Sequence, residues 1–489
     1  MNYHFDMKIF IADFQIAKYG GIVEYVASML KAFRDLGHEV DVAQMTPAST
    51  TQNAYNKKVK EFESGEHQRK IKFHSQAGGY EKDEVTGYWR NNYYGYFLPP
   101  SNRIGVYEKN AVERWKELVK DADIILWNFM PTKSSAWNKK GVEFDFWHKF
   151  FDLPSSIKQV FLVHDAYFNV RASNISALKD KIMFMACAHL AAYQCCSEIG
   201  IPRSLLLNPR YLPSGAKMTV KMMNKRKEDF FAAHMFKSMK HMEELIAAVP
   251  YIQKGEEERF KVKIAGTGIE YNYMTSETKT KSNYMCTTKR DPDLPKKLDG
   301  KLSLWDRAEK FGMEYMGQMS GGEVIDTLRN TKFAIDPSWA EHYARYCRTH
   351  INGFIIEAML CGAYPVLRDY RGLAKVEGKE IYDPLFENVR AIIIPWDATP
   401  KEFAASLKKA AKMSPAKFLK DTKYNFELVH ELFNATKNAE EIIRLVKGGR
   451  KLVKKELDKG KDSPNVKKIT HEIMEDFYHI ELPIEWETD

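Results

Sequence analysis

The stretch from Ser338 to Gly372 gathers groups suited to a phosphorylated ligand. Glu357 heads an apolar run of small residues, Glu357-Ala358-Met359-Leu360-Cys361-Gly362-Ala363, which reads as a helix leading into a strand at Tyr364–Leu367. A carboxylate at that point can accept both hydroxyls of a ribose. The backbone N–H groups of Gly353 and Phe354, just before it, can meet phosphate at a helix N-terminus. Arg345, Arg348 and His350 crowd the approach, and Glu341 stands further upstream. A glutamate in a first turn also complements the helix dipole. That plain role leaves the Arg and His cluster unexplained.

Three other places carry chemistry-bearing residues. In Lys18-Tyr19-Gly20-Gly21-Ile22, two glycines follow a first strand and open a helix. Such a turn admits a ligand close to backbone N–H groups, and it is equally an ordinary strand-to-helix turn. It lacks the GxGxxG pattern of a dinucleotide site. His164 and Asp165 end the apolar run Gln159–Val163, and parallel sheets bind ligands at the carboxyl ends of their strands. The pair can orient a hydroxyl acceptor, or it can simply cap a loop. Lys237 and Lys240 follow the strand-like Phe230-Phe231-Ala232-Ala233. A lysine there can reach a diphosphate, although most lysines are merely solvated.

Short apolar runs must position these groups: Lys8–Phe14, Val40–Ala43, Asp123–Asn128, Gln159–Val163, Lys261–Ala265, Lys332–Asp336, Tyr364–Leu367 and Ala391–Ile394. They are continuous rather than alternating, as in parallel strands covered on both faces. Amphipathic helical patterns lie between them; Ile22, Val26, Met29, Leu30 and Phe33 share one face, and Gly37 sits at a C-cap. The expected fold is α/β, with two doubly wound, Rossmann-like domains. The Pro- and Gly-containing stretch Leu207–Gly215 reads as the linker. The expected division is 1–212, with an insertion at about 52–105, then 213–446, with an insertion at about 269–310, then a basic tail at 447–489.

The chain has 489 residues, 44% hydrophobic and 28% charged, which suits a folded protein of two domains rather than a disordered one. No apolar run reaches the ~20 residues of a membrane helix, and the N-terminus has no leader-peptide pattern. The six cysteines form no CxxC pair, so a reduced, cytoplasmic chain without a metal cluster is expected. The formal charge of +9 leans toward anionic partners. The aromatic and basic run Gly87–Phe97, with Trp89, Arg90 and Tyr93, has the residue types that hold an unstacked base. It also suits a partly packed surface subdomain.

Taken together, these residues resemble the GT-B nucleotide-sugar glycosyltransferases of the retaining, glycogen-synthase-like group. The likeness rests on Gly20-Gly21-Ile22-Val23-Glu24 with Gly37-His38-Glu39-Val40, on Lys240, on Gly266-Thr267-Gly268, on Pro337-Ser338-Trp339-Ala340-Glu341, and on Glu357-Ala358-Met359-Leu360-Cys361-Gly362-Ala363-Tyr364-Pro365-Val366. It spans roughly residues 7–446. It implies two domains facing across a cleft, a UDP-sugar donor, no bound cofactor and no metal. Donor contacts would fall on Gly20, Gly21, Lys237, Lys240, Arg345, Arg348, Gly353, Phe354 and Glu357. Two departures stand out. Glu341 and Glu357 are sixteen positions apart where the family has eight, so Glu341 and Thr349 compete for the first glutamate's place. The family's arginine falls on Met235, leaving its charge to Lys237 or Arg348.

A narrower resemblance, through Gln159–Asn174, is to bacteriophage DNA α-glucosyltransferases. It implies double-stranded DNA with a hydroxymethylated pyrimidine as acceptor. His164 and Asp165 would lie at the reaction centre, and Trp89, Arg90, Tyr93 and Arg171 at the acceptor. A glycan, lipid or small-molecule acceptor stays open, as does a non-catalytic protein of this fold that binds nucleic acid.

Overall fold

In the computed structural model the chain is described at residues 7–13, 21–46, 80–82, 89–91, 103–106, 109–128, 144–163, 181–188, 203–206, 210, 226–234, 242–256, 258–266, 308–317, 319, 321–338, 352–369, 375–376, 379–380, 388–395 and 397–457. The chain forms two compact units. The first combines Met1–Glu81, Asn91–Leu212 and Phe433–Asp489; the second combines Lys82–Arg90 and Pro213–Leu432.

The sheet of the first unit uses β1 (Lys8–Asp13), β2 (Glu39–Thr46), β5 (Arg103–Gly105), β6 (Ile124–Trp127), β7 (Lys158–Val163), β8 (Phe184–Cys187) and β9 (Arg203–Leu205). Their order is β5-β2-β1-β6-β7-β8-β9, and every pairing is parallel. Helices α1 (Gly21–Asp35), α2 (Ala111–Leu118) and α3 (Phe144–Phe151) connect the strands. Gly37 ends α1 at φ 87°, with its N–H on the carbonyl of Arg34. β3 (Tyr80–Lys82) and β4 (Trp89–Asn91) form a separate two-stranded sheet. The stretch expected as an insertion at 52–105 therefore ends in β5, an edge strand of the main sheet.

The core of this unit is aromatic. Trp115, Trp127, Phe151 and Phe161 are fully buried and in mutual ring contact. A buried indole needs a partner for its N–H. Trp115 donates to the carbonyl of Phe150, and Trp127 donates to Oε1 of buried Gln159, which in turn donates to the carbonyl of Phe151.

The sheet of the second unit uses β10 (Glu228–Ala233), β11 (Val262–Ala265), β12 (Met313–Tyr315), β13 (Thr331–Asp336), β14 (Tyr364–Asp369) and β17 (Ile392–Pro395) in the order β12-β11-β10-β13-β14-β17, again wholly parallel. A small antiparallel pair, β15 (Lys375–Val376) and β16 (Lys379–Glu380), stands apart. The helices are α4 (Met242–Gln253), α5 (Gly321–Asn330), α6 (Gly353–Leu360), α7 (Pro400–Ala411) and α8 (Pro415–Leu432). Helix α4 is buried almost all round, with α7 packed beside it over the same core. Thr399 and Glu402 close a capping box at the start of α7.

After α7 the chain forms two further helices. The break falls at Phe433–Asn434, and α9 (Ala435–Leu457) packs against α1 in the first unit. Arg210 N–H donates to the carbonyl of Phe433, and Ala435 N–H donates to the carbonyl of Arg210. Those bonds return the chain to the first unit at Phe433, so the expected boundary at 446 moves to 432. The expected tail from 447 is helical as far as Leu457, with a bend at Gly449. Among the described residues, no helix is long and apolar enough to cross a membrane.

Candidate functional site

In each sheet the strand order runs outward from one central strand in both directions. The reversal lies between β1 and β6 in the first unit and between β10 and β13 in the second. At such a point the connections diverge to opposite faces and leave a crevice at the carboxyl ends, where open α/β sheets bind ligands.

In the second unit the carboxyl ends at the reversal carry His234, immediately after β10, and Asp336, the last residue of β13, beside the N-terminus of α6. Asn352 is the N-cap of α6, and its Oδ1 accepts from Phe354 N–H at 3.3 Å. Its Nδ2 therefore faces the other way, 3.0 Å from His234 Nδ1. The His234 Nε2 lies 3.2 Å from the carbonyl of Ile335 and 3.6 Å from Asp336 Oδ1. The Phe354 ring packs edge-on against both His234 and Phe231. Asp336 Oδ1 also accepts from Ser338 N–H at 3.1 Å.

Gly266 fits the backbone of β11 against this group. Its φ is +138°, and a Cβ there would stand 1.8 Å from the His234 carbonyl oxygen. Its N–H donates to the carbonyl of Gly317, and its own carbonyl accepts from the Tyr315 hydroxyl.

The far end of α6 is held as firmly. Buried Arg226 donates to the carbonyl of Cys361, the C-cap of α6, at 2.7 Å, and to the carbonyls of Leu328 and Thr331 at the end of α5. A cation suits two helix C-termini at once. Burial pulls the Arg226 guanidinium down to about 10, with Cys361 opposing the fall.

Of the eight residues of α6, Phe354, Ile355, Ile356, Ala358, Met359 and Leu360 are buried. Gly353 and Glu357 are half-buried. At a spacing of four they share one face. The open line of an otherwise enclosed helix thus carries an N-terminal amide and, one turn on, a carboxylate.

Some expectations change. The helix begins at Gly353, not at Glu357, so Glu357 occupies its second turn. The cap uses the N–H of Phe354, which withdraws it from an anion; the N–H of Gly353 is not used by this cap. Gly21 is the first residue of α1, and Trp89 and Arg90 lie in β4. Gly20, Tyr93, His164, Asp165, Arg171, Lys237, Lys240, Arg345 and Arg348 lie outside the described residues. β7 ends at Val163, directly before His164. Sequence reasoning missed His234, Asp336 and Asn352. An Asn-Gly pair before an apolar run is a helix-start signal that identifies Asn352.

In the first unit the corresponding position holds Asp13 and Asn128. Both are buried, and Asn128 Nδ2 donates to Asp13 Oδ2 at 3.0 Å. Among the described residues, no group of three His, Cys, Asp or Glu side chains is arranged to hold a metal ion.

Two parallel, doubly wound units, each with a crevice at its strand reversal, constitute the GT-B fold. The chain is similar to an α-glucosyltransferase solved with UDP-glucose and DNA containing an abasic site, with 12% identity, 90% of this chain and 99% of that chain covered, and a TM-score of 0.53. It is similar to an α-glucosyltransferase solved with UDP and a 13-mer DNA containing an HMU base, with 12% identity, 91% and 100% covered, and a TM-score of 0.51. It is similar to a mutant of TarM from S. aureus in complex with Fondaparinux, alpha-GlcNAc-glycerol and UDP, with 11% identity, 90% and 99% covered, and a TM-score of 0.51. No protein-family profile and no curated protein sequence matches the chain.

Proposed function

We propose that this protein is a glycosyltransferase that moves a sugar from a UDP-sugar to a hydroxyl group, with retention of configuration. The observation that carries the reading is the open line of α6. Gly353 offers an N–H to the diphosphate at a helix N-terminus, and Glu357 accepts the ribose hydroxyls one turn on. The ligands of the similar proteins support it, since UDP or UDP-glucose is bound in all three.

Lys237, Lys240, Arg345 and Arg348 supply positive charge to the diphosphate. Negative charge grows there as the sugar leaves, so a preorganised cation stabilises the transition state more than the ground state. His164 and Asp165 orient the acceptor hydroxyl toward the anomeric carbon. A displacement on one face of the sugar depends on positioning and on leaving-group stabilisation and needs no nucleophile from the protein. The donor itself is the cosubstrate, and no bound cofactor enters the scheme.

The acceptor we propose is a hydroxymethylated pyrimidine in double-stranded DNA. Trp89, Arg90, Tyr93 and Arg171 would hold the extruded base. The DNA bound by two of the similar proteins supports this, as does the formal charge of +9. The likeness to TarM, solved with a sugar-bearing glycerol, favours a glycan or polyol acceptor as the second reading.

The test combines the protein, a panel of UDP-sugars and duplex DNA containing hydroxymethylated cytosine or uracil. The DNA is digested to nucleosides and weighed by mass spectrometry. A gain of one sugar mass supports the DNA acceptor. Release of UDP without any gain overturns that acceptor and leaves the transferase.

A further inference from the structure

We infer that His234 is a positioning residue of the donor site, holding the N-terminus of α6 through the orientation of Asn352; this rests on the reading of α6 as the donor helix. The hydrogen bonds assign its tautomer. Asn352 has one carbonyl oxygen and one amide nitrogen to place. Its oxygen caps Phe354 N–H, so its nitrogen faces His234 Nδ1. That ring nitrogen must accept, so the proton sits on Nε2, directed at the carbonyl of Ile335 with Asp336 Oδ1 alongside. One neutral tautomer thus satisfies four groups in series, from the end of β13 to the first turn of α6.

Protonation breaks the series at one point. With a proton on Nδ1, two donors oppose each other between His234 and Asn352. Relief comes from turning the Asn352 amide over, which presents a donor to Phe354 N–H and abolishes the cap. The turn that presents Gly353 and Glu357 then loses its anchor, although no residue in contact with the donor has changed charge. Described residues of β13 and α6 face the ring. A carboxylate at Asp336 on β13, 3.6 Å from Nε2, is the group there that would favour a protonated ring. Asn352 and Phe354 on α6, and the carbonyl of Ile335 on β13, do not titrate.

Two measurements test this. The first is the tautomer, read from nitrogen-15 shifts of labelled histidine at neutral pH and assigned by comparison with His234→Asn. The expected state is neutral with the proton on Nε2. A proton on Nδ1 would overturn the proposal whatever the protein binds.

The second is the affinity for UDP-glucose, whose esterified diphosphate does not titrate between pH 5.5 and pH 8 as the terminal phosphate of UDP does, measured against pH for the wild type, His234→Asn and His234→Phe. An asparagine oxygen stands in for Nδ1 without titrating. The wild type is expected to lose about fivefold in affinity between pH 8 and pH 5.5, the worth of one helix cap. His234→Asn is expected to bind at pH 8 as the wild type does and to stay flat. His234→Phe, which keeps a ring and loses the acceptor, is expected to bind about fivefold more weakly at both pH values. If His234→Asn keeps the wild-type pH profile, the role of His234 falls and the donor site stands. If the wild type binds no UDP-glucose at any pH, the donor reading itself falls, and the role of His234 in serving it falls too.

Discussion

Gly353 and Glu357 lie one turn apart on α6, and they are the residues of that helix left half-open when every other one is buried. The helix is tied at both ends. Arg226 holds its last carbonyls, and Asn352 and His234 hold its first turn. The Gly353 amide therefore sits at the start of a helix tied at both ends.

Glu357 gives a prediction in the ribose. If its carboxylate accepts the ribose hydroxyls, the wild type prefers UDP to 2′-deoxy-UDP. A hydrogen bond to a charged group contributes about 1.5–3 kcal/mol, so a preference of about tenfold or more is expected. In Glu357→Gln that preference collapses to within about threefold. Calorimetric titration with both nucleotides checks it.

Gly266 should tolerate no side chain. At φ +138° with a backbone oxygen 1.8 Å from the added Cβ, Gly266→Ala combines strain with a clash against backbone. The expected destabilisation is about 3 kcal/mol or more. Urea unfolding measures it.

Buried Arg368 pairs with buried Glu244 and donates to the carbonyl of Pro395 at 2.7 Å. Removing one partner leaves an uncompensated buried charge. Glu244→Leu should lose about 3–5 kcal/mol, and Glu244→Leu with Arg368→Met should lose less than Glu244→Leu alone. Chemical denaturation of the three proteins decides this.

Asp421 predicts a pH dependence of stability. Burial pushes its carboxyl up, but hydrogen bonds from Lys417, Tyr364 and Arg390 together outweigh burial and leave it below its ordinary value. A depressed carboxylate favours the folded state above the unfolded value of about 4, and that contribution is lost as pH falls through the lower, folded value. The wild type should therefore lose more stability between pH 5 and pH 3 than Asp421→Asn does. At pH 7 the variant should already be weaker by about 1–3 kcal/mol. Urea midpoints across that range give both quantities.

The alternation of element types was legible because parallel strands are continuous apolar runs. The expected runs from Lys8–Phe14 to Ala391–Ile394 coincide with β1, β2, β6, β7, β11, β13, β14 and β17. The edge strands Arg203–Leu205 and Met313–Tyr315 are three residues each, too short to show a period. The α8–α9 break was hidden because Phe433-Asn434 interrupts the helical pattern with neither Gly nor Pro, and only the Asn434 cap marks it. Glu357 was visible as a carboxylate near a helix start. The role of His234 was not visible, since it depends on residues from β11, β13 and α6 that meet it only in the fold.

Whether the N-terminus of α6 holds the donor diphosphate is decided by Gly353→Pro. Gly353 is the first residue of the helix, where proline is favoured because its missing N–H would have no helical partner. The preceding residue, Asn352, has φ −57° and ψ 144°, a conformation proline permits before it. The substitution thus removes one N–H and leaves the helix. Gly353→Ala, which keeps the N–H, is the control. UDP affinity by calorimetry is expected to fall about tenfold or more in Gly353→Pro, to change little in Gly353→Ala, and to do so at equal thermal stability. Equal affinities in the two variants would contradict the account.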